Sequence, residues 1–152
     1  MKKQFMYVLL FCSILITSCG SIKIAIYDQY SYQQEVSLKI ETKALLEHAT
    51  EEYAIYKDQI THVLLEMEKM EEYEKNKPDN AISYQMWHLM TDADRNSVAG
   101  LFKRWKEKGQ LPVVFTQEAS VQVMGAFDAL IKYEVSKDKE KENILLEIIK
   151  NY

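Results

Sequence analysis

Turn formers are scarce in this chain: four glycines and two prolines among 152 residues. Little is available for tight hairpins, and abundant Glu, Lys, Leu and Met point to helices instead. Only two cysteines occur, Cys12 and Cys19, which excludes a disulfide-dense secreted scaffold. Histidine is also rare, with His48, His62 and His88 the only three. No GxSxG, HExxH or Gly-rich phosphate loop is written anywhere, so the usual local signatures of hydrolase, zincin and nucleotide sites are missing. No self-similarity appears at solenoid periods, which argues against a repeat array. The longest apolar stretch, residues 5–16, falls short of the roughly 20 residues a transmembrane helix needs.

That stretch has a different use. Lys2 and Lys3 precede it, and Ile16-Thr17-Ser18-Cys19-Gly20 follows. A basic start, a short apolar middle and a small-residue step make a secretory signal. With the cysteine directly after the step, residues 1–20 resemble the signal peptide of bacterial lipoproteins. The resemblance implies removal of residues 1–18 and acylation of the Cys19 thiol. Gly20 is not the aspartate that retains some lipoproteins in the inner membrane, so the resemblance leans toward the periplasmic side of the outer one. Two plainer readings compete: a transmembrane anchor continuing through Ile22, Ile24, Ile26 and Tyr27, and a secreted protein with a chance cysteine. Lys23 and the polar Thr17-Ser18 pair oppose the first.

The signal carries two lysines and no acid, so its loss takes the formal charge from -4 to -6. An acidic, exported chain is a poor nucleic-acid partner. Cys12 leaves with the signal, and an acylated Cys19 leaves no free thiol, so packing alone must hold the fold. The mature length suffices for one domain with one core.

We read residues 19–34 as the lipidated cysteine and a tether, and 35–152 as a helical bundle domain. Tyr27, Tyr30 and Tyr32 suit either the lipid headgroup level or the base of the bundle. From 35 to 75 there is no Gly or Pro, and Leu45, Ala49, Tyr53, Tyr56, Ile60, Val63, Met67 and Met70 form a heptad-like stripe with one extra step near Tyr53. This predicts one long helix. The Pro78 region ends it. Residues 80–108 read as two helical pieces, the second starting at a Thr91 cap with Asp94 three places on. The cationic cluster Lys103, Arg104, Lys106 and Lys108 suits a helix C-terminus, and Gly109 closes it. Residues 111–115 read as an apolar connector and Thr116 as the next cap. Ala119, Val123, Ala126, Phe127, Leu130, Ile131 and Glu134 then form a stripe whose last member alone is polar. Residues 136–142 continue that helix or form a hinge, and Ile144, Leu145, Ile148 and Ile149 give a last amphipathic turn. The predicted fold class is all-α, a three- to four-helix bundle.

Candidate chemistry is thin. His48 and His62 stand roughly 21 Å apart on a straight helix, too far to share a metal. Glu52 and Glu66 each follow a histidine by four places, a spacing commoner for surface pairs than for ligands. His88 alone could meet one of the other two across the bundle. Trp87, Trp105, Tyr84 and Phe102 suit a sugar-binding platform if exposed, but their spacing with Leu89, Val98 and Leu101 favours core packing. No catalytic residue, cofactor or metal is therefore assigned.

Trp87-His88-Leu89-Met90-Thr91-Asp92 and Phe102-Lys103-Arg104-Trp105 resemble stretches of small helical lipoproteins of unassigned function. That likeness transfers no residue role. The expected function is a membrane-tethered envelope protein, held by lipid on Cys19, with a non-enzymatic domain that binds a protein partner or serves structurally. A second reading is an inhibitor- or immunity-type protein that blocks a phage or toxin component. An enzyme comes third, and acids clustered in an open cleft would be its sign.

Overall fold

A computed structural model describes residues 25–151; the signal peptide, Cys19 and the first part of the tether lie outside the described residues. These fold into six helices: α1 (Gln29–Glu47), α2 (Tyr53–Lys75), α3 (Ala81–Thr91), α4 (Val98–Lys108), α5 (Val113–Ser136) and α6 (Lys139–Asn151). The all-α class holds, with no strand among the described residues. α2 packs between α1 and α3, α1 also lies along α5, and α6 folds back on α5 and α3.

The long helix expected over 35–75 is two helices. α1 begins earlier, at Gln29, so the end of the expected tether is already helical. Asp28 is its cap, and its carboxylate accepts the Tyr30 amide at 2.9 Å, the usual way an orphan donor of a first turn is satisfied. The helix then stops at Glu47 and restarts at Tyr53 with neither glycine nor proline between them. Groups from distant α4 and the α4–α5 turn hold this elbow. The Trp105 indole donates to the Glu51 carbonyl at 2.9 Å. The Leu111 amide donates to the Ala49 carbonyl at 2.9 Å, and the Tyr53 amide to the Gly109 carbonyl at 2.8 Å. Gln110 adds a bond to the Glu52 side chain at 3.0 Å. Backbone groups freed by the break are thus paired across the chain, as buried backbone requires. The extra step in the hydrophobic stripe marks this elbow.

The stripe itself survives the break. Leu45, Ala49, Ile60, Val63, Met67 and Met70 are buried, and Tyr53 and Tyr56 pack half-buried against them. Trp105 sits under the elbow with Tyr53 edge-on at 5.9 Å and Tyr56 at 5.6 Å. Trp87 is equally sealed, edge-on to Phe127 at 6.3 Å. Both tryptophans are core residues, so neither ring forms an exposed platform.

Two helix starts differ from the sequence reading. Thr91 ends α3 instead of capping α4, because its hydroxyl is committed to Glu71 and to the Trp87 carbonyl. Ser97 is the cap, accepting the Gly100 amide at 3.1 Å. α5 starts at Val113 behind Pro112, whose fixed φ of -63° suits a helix entry; Thr116 lies inside the first turn and bonds back to the Pro112 carbonyl. Only Leu111 of the expected apolar connector is buried, while Val113 and Val114 are exposed. After Ser136, Lys137 turns left-handed at φ 46° and ends α5, so the hinge alternative holds, at residues 137–138. Asp138 then caps α6, which buries Leu145 and half-buries Ile148 and Ile149.

Gly109 needs its φ of 76°, a conformation glycine adopts freely. Gly100 is needed for space: a Cβ there would lie 1.9 Å from the Arg95 carbonyl oxygen. Gly100→Ala should therefore cost about 1–3 kcal/mol in chemical denaturation, as overpacking against backbone does. Phe127→Ala, which empties a fully buried site, should cost about 3–5 kcal/mol. A loss below about 1 kcal/mol for Phe127→Ala would contradict the packing described here.

Candidate functional site

The most unusual chemistry lies at one end of the bundle, where α1 begins and α2 and α5 stop. We call this end the base. Each of the three helices runs its apolar stripe toward the base and finishes it with a carboxylate. On α1 the buried positions are Ser31, Glu35, Leu38, Thr42 and Leu45, steps of four and three. On α2, Glu74 follows Met67 and Met70 in register; on α5, Glu134 follows Phe127 and Leu130. Helical periodicity therefore points all three glutamates inward. Glu35, Glu74 and Glu134 are sealed from solvent.

Two of them are answered. Glu74 accepts from Ser31 and from Asn80 and pairs with Lys77 at 3.3 Å. Glu134 accepts the Asp28 amide at 2.7 Å and pairs with Lys137 at 2.5 Å. Lys77 also reaches Asp28 at 3.2 Å and the Ser31 hydroxyl at 3.0 Å. Lys137 reaches the Asn80 amide oxygen at 3.5 Å and lies 4.7 Å over the Tyr133 ring. The Tyr73 hydroxyl closes the outer rim on Asp28 at 2.6 Å. Buried ion pairs persist only when such further hydrogen bonds satisfy the remaining lone pairs.

Glu35 is different. Neither of its oxygens has a hydrogen-bond partner among the described residues. Burial, then the charges of Glu134 and Glu74, push its carboxyl up to about 9 against the weaker pull of Lys137 and Lys77. It therefore carries a proton at neutral pH, since an ionised carboxylate without a partner is far costlier to bury. Asp28 moves the other way. Its partial burial raises it, but the Tyr73 hydroxyl, the Tyr30 amide and Lys77 together outweigh that and bring it down to about 2. Its hydrogen bond holds Tyr73 up at about 12. Burial, with Glu142, Glu134 and Glu74 adding to it, does the same for Tyr133.

Chemically, the base is a closed proton-holding site, not an open cleft. Acids do cluster, as an enzyme would want, but no solvent-exposed face of Glu35, Glu74 or Glu134 is left to meet a substrate. The sequence reading did not single out Glu35 or Glu74, and it met Glu134 only as the one polar member of a stripe. Extending the stripes of α1 and α2 toward the base would have found the other two.

The histidines sit elsewhere. Because the helix breaks at the elbow, His48 and His62 line one groove of about 630 Å³ with Glu41, Leu45 and Tyr56; separation along a straight helix no longer describes them. His48 pairs with Glu51 at 2.8 Å, not with Glu52, and stacks on Tyr56 at 4.8 Å. Glu66 pairs with Lys69 at 2.6 Å. His88 does meet a carboxylate of α2, Glu71, at 2.8 Å. Among the described residues no group of three or more His, Cys, Asp or Glu is placed to hold a metal. A second cleft, about 430 Å³, lies between the 93–97 loop, α4 and α5, where Arg104 stacks on Phe115 at 4.8 Å with Asp94, Glu107 and Glu118 nearby. No helix among the described residues is long and apolar enough to cross a membrane. Compared with family models, with curated proteins and with solved structures, the chain matches none.

The raised Glu35 carboxyl has a pH signature. Between its unfolded value of 4.5 and its folded value of about 9, the folded state holds a proton the unfolded chain has lost. The contribution is full below pH 4.5 and falls as pH rises toward 9, by up to about 1.4 kcal/mol per unit. Glu35→Gln keeps the shape and removes the titration, so its melting temperature should gain on the wild type from pH 5 to pH 8. A gap that stays constant across that range would mean Glu35 does not titrate there.

Proposed function

We propose that this chain is a bacterial envelope lipoprotein, anchored by acyl chains on Cys19, whose helical domain is a non-catalytic module that binds another envelope protein or serves structurally. The observation that carries the reading is where the lipoprotein-like segment joins the body. Cys19 precedes the α1 cap, Asp28, by nine positions. Asp28 is also tied into the base through Glu134, Tyr73 and Lys77. A pull on the tether would pass at once into α5 and α2 instead of unravelling α1. Such fastening suits a domain held by its N-terminus.

A base-first attachment leaves the opposite end free to project from the periplasmic side of the outer membrane. There α5 begins with exposed Val113 and Val114, and a protein partner would meet surfaces of that kind. A catalytic role draws no support from the sealed carboxylates, so we assign none. Two or more acyl chains bind a bilayer stably where one binds marginally, at about 0.8 kcal/mol per buried methylene.

The full-length chain expressed in a bacterium should take up a palmitate analogue, and Cys19→Ala should abolish the label and leave an unprocessed precursor. Labelling that persists in Cys19→Ala would overturn the anchor.

A further inference from the structure

We propose that the base of the bundle rests on the lipid bilayer, with Ile26, Tyr27, Tyr30 and Tyr73 contacting the phospholipid headgroup layer, so that the domain stands on the membrane and does not swing on a slack tether. This rests on the Cys19 anchor proposed above.

Four large apolar or aromatic side chains are uncovered at this end: Ile26 at 87%, Tyr27 at 48%, Tyr30 at 45% and Tyr73 at 38% exposure. The tyrosines are held, not loose. Tyr30 and Tyr73 meet edge-on at 4.9 Å, Tyr27 and Tyr32 lie 6.3 Å apart, and the Tyr73 hydroxyl is fixed by Asp28. Rings with a polar tip and an apolar body are the side chains favoured at a membrane interface. Pre-ordering them lowers the entropy lost on contact.

The tether decides the occupant. Seven positions separate Cys19 from Ile26, which span at most roughly 25 Å even fully extended. An anchored base therefore never leaves the bilayer by more than that distance, and a contact too weak to hold a free protein becomes populated at such effective concentrations. No other partner is brought there by the chain itself. Charge does not select anionic lipid: at this end Lys75 pairs with Glu72, Lys77 with Asp28 and Glu74, and Lys139 with Glu142. Zwitterionic headgroups should suffice, and the contact should resist salt.

The mature lipidated chain offers a clean probe, because acylated Cys19 carries no free thiol and Cys12 leaves with the signal. Ile26→Cys, or Val121→Cys on an exposed face of α5 about 22 Å before that helix ends at the base, would take a polarity-sensitive fluorophore. The labelled protein is then reconstituted in phosphatidylcholine vesicles bearing headgroup nitroxides. We expect the label at 26 to be quenched several-fold more than the label at 121. Tyr27→Ser combined with Tyr30→Ser should abolish that difference while the protein still floats with the vesicles. Equal quenching at the two positions in a floating protein would overturn the docked base but leave the anchor standing. Stronger quenching at 121 would overturn it likewise. Quenching at 26 that appears only with phosphatidylglycerol, or that falls as protein density rises, would assign the face to anionic lipid or to a second copy and overturn the proposal. Failure to float would overturn the anchor itself.

Discussion

Two partly exposed lysines close over three glutamates that water does not reach at the base, and the geometry of that end of the bundle follows from how they are settled. Lys77 binds Glu74 and Asp28; Lys137 binds Glu134 and the Asn80 amide. Lys77–Asp28, Lys137–Asn80 and the Asp28 amide on Glu134 cross between segments, so the start of α1, the α2–α3 turn and the end of α5 are tied together, while Lys77–Glu74 and Lys137–Glu134 are local pairs that bring in the end of α2 and finish α5. The left-handed backbone at Lys137 belongs to the same device, since it ends α5 where its side chain can turn back over Tyr133. Glu35 is the remainder, a third carboxyl with no cation left for it, and neutrality is the state that such burial permits. Buried pairs of this kind add less stability than hydrophobic packing would. Their effect here is to fix which ends of the helices meet.

The apolar architecture was legible in the sequence. All eight members of the stripe over 45–70 face the core or its edge, and Trp87, Trp105, Phe102 and Phe127 fill the interior as their spacing suggests. The elbow was not read, because residues 47–52 contain no residue that breaks a helix by itself. Its cause lies in Trp105, Gly109 and Leu111, more than fifty residues away, and local propensity is routinely overridden by such contacts. Its trace was nevertheless present as the extra step in the stripe. The caps failed for a related reason. Thr91 and Thr116 look like caps, but a hydroxyl with a better partner, Glu71 for one and the Pro112 carbonyl for the other, does not act as one.

The carboxylate cluster was hidden by abundance. Acids are so common in this chain that Glu35 and Glu74 look like solvated surface charges, and only the helical register separates them from their neighbours. Glu71 and Glu72 stay near the surface while Glu74, two positions on, is fully enclosed. The same abundance argues against reading acids as chemistry. The clustered ones are enclosed, and they tie the start of α1 to the ends of α2 and α5.

The elbow between α1 and α2 carries a consequence for how the chain reaches its native form. Residues 47–52 hold neither glycine nor proline, and the helical pattern runs through the bend without a breaker. The bend is written instead into the Trp105 indole and the Gly109–Leu111 backbone, which arrive only when the second half of the chain docks. Without that second half, the side-chain contacts left at the break are the local ones among His48, Glu51 and Tyr56. The hairpin at the heart of the fold is thus in large part a non-local product, held open at its bend by residues that belong to neither of its arms.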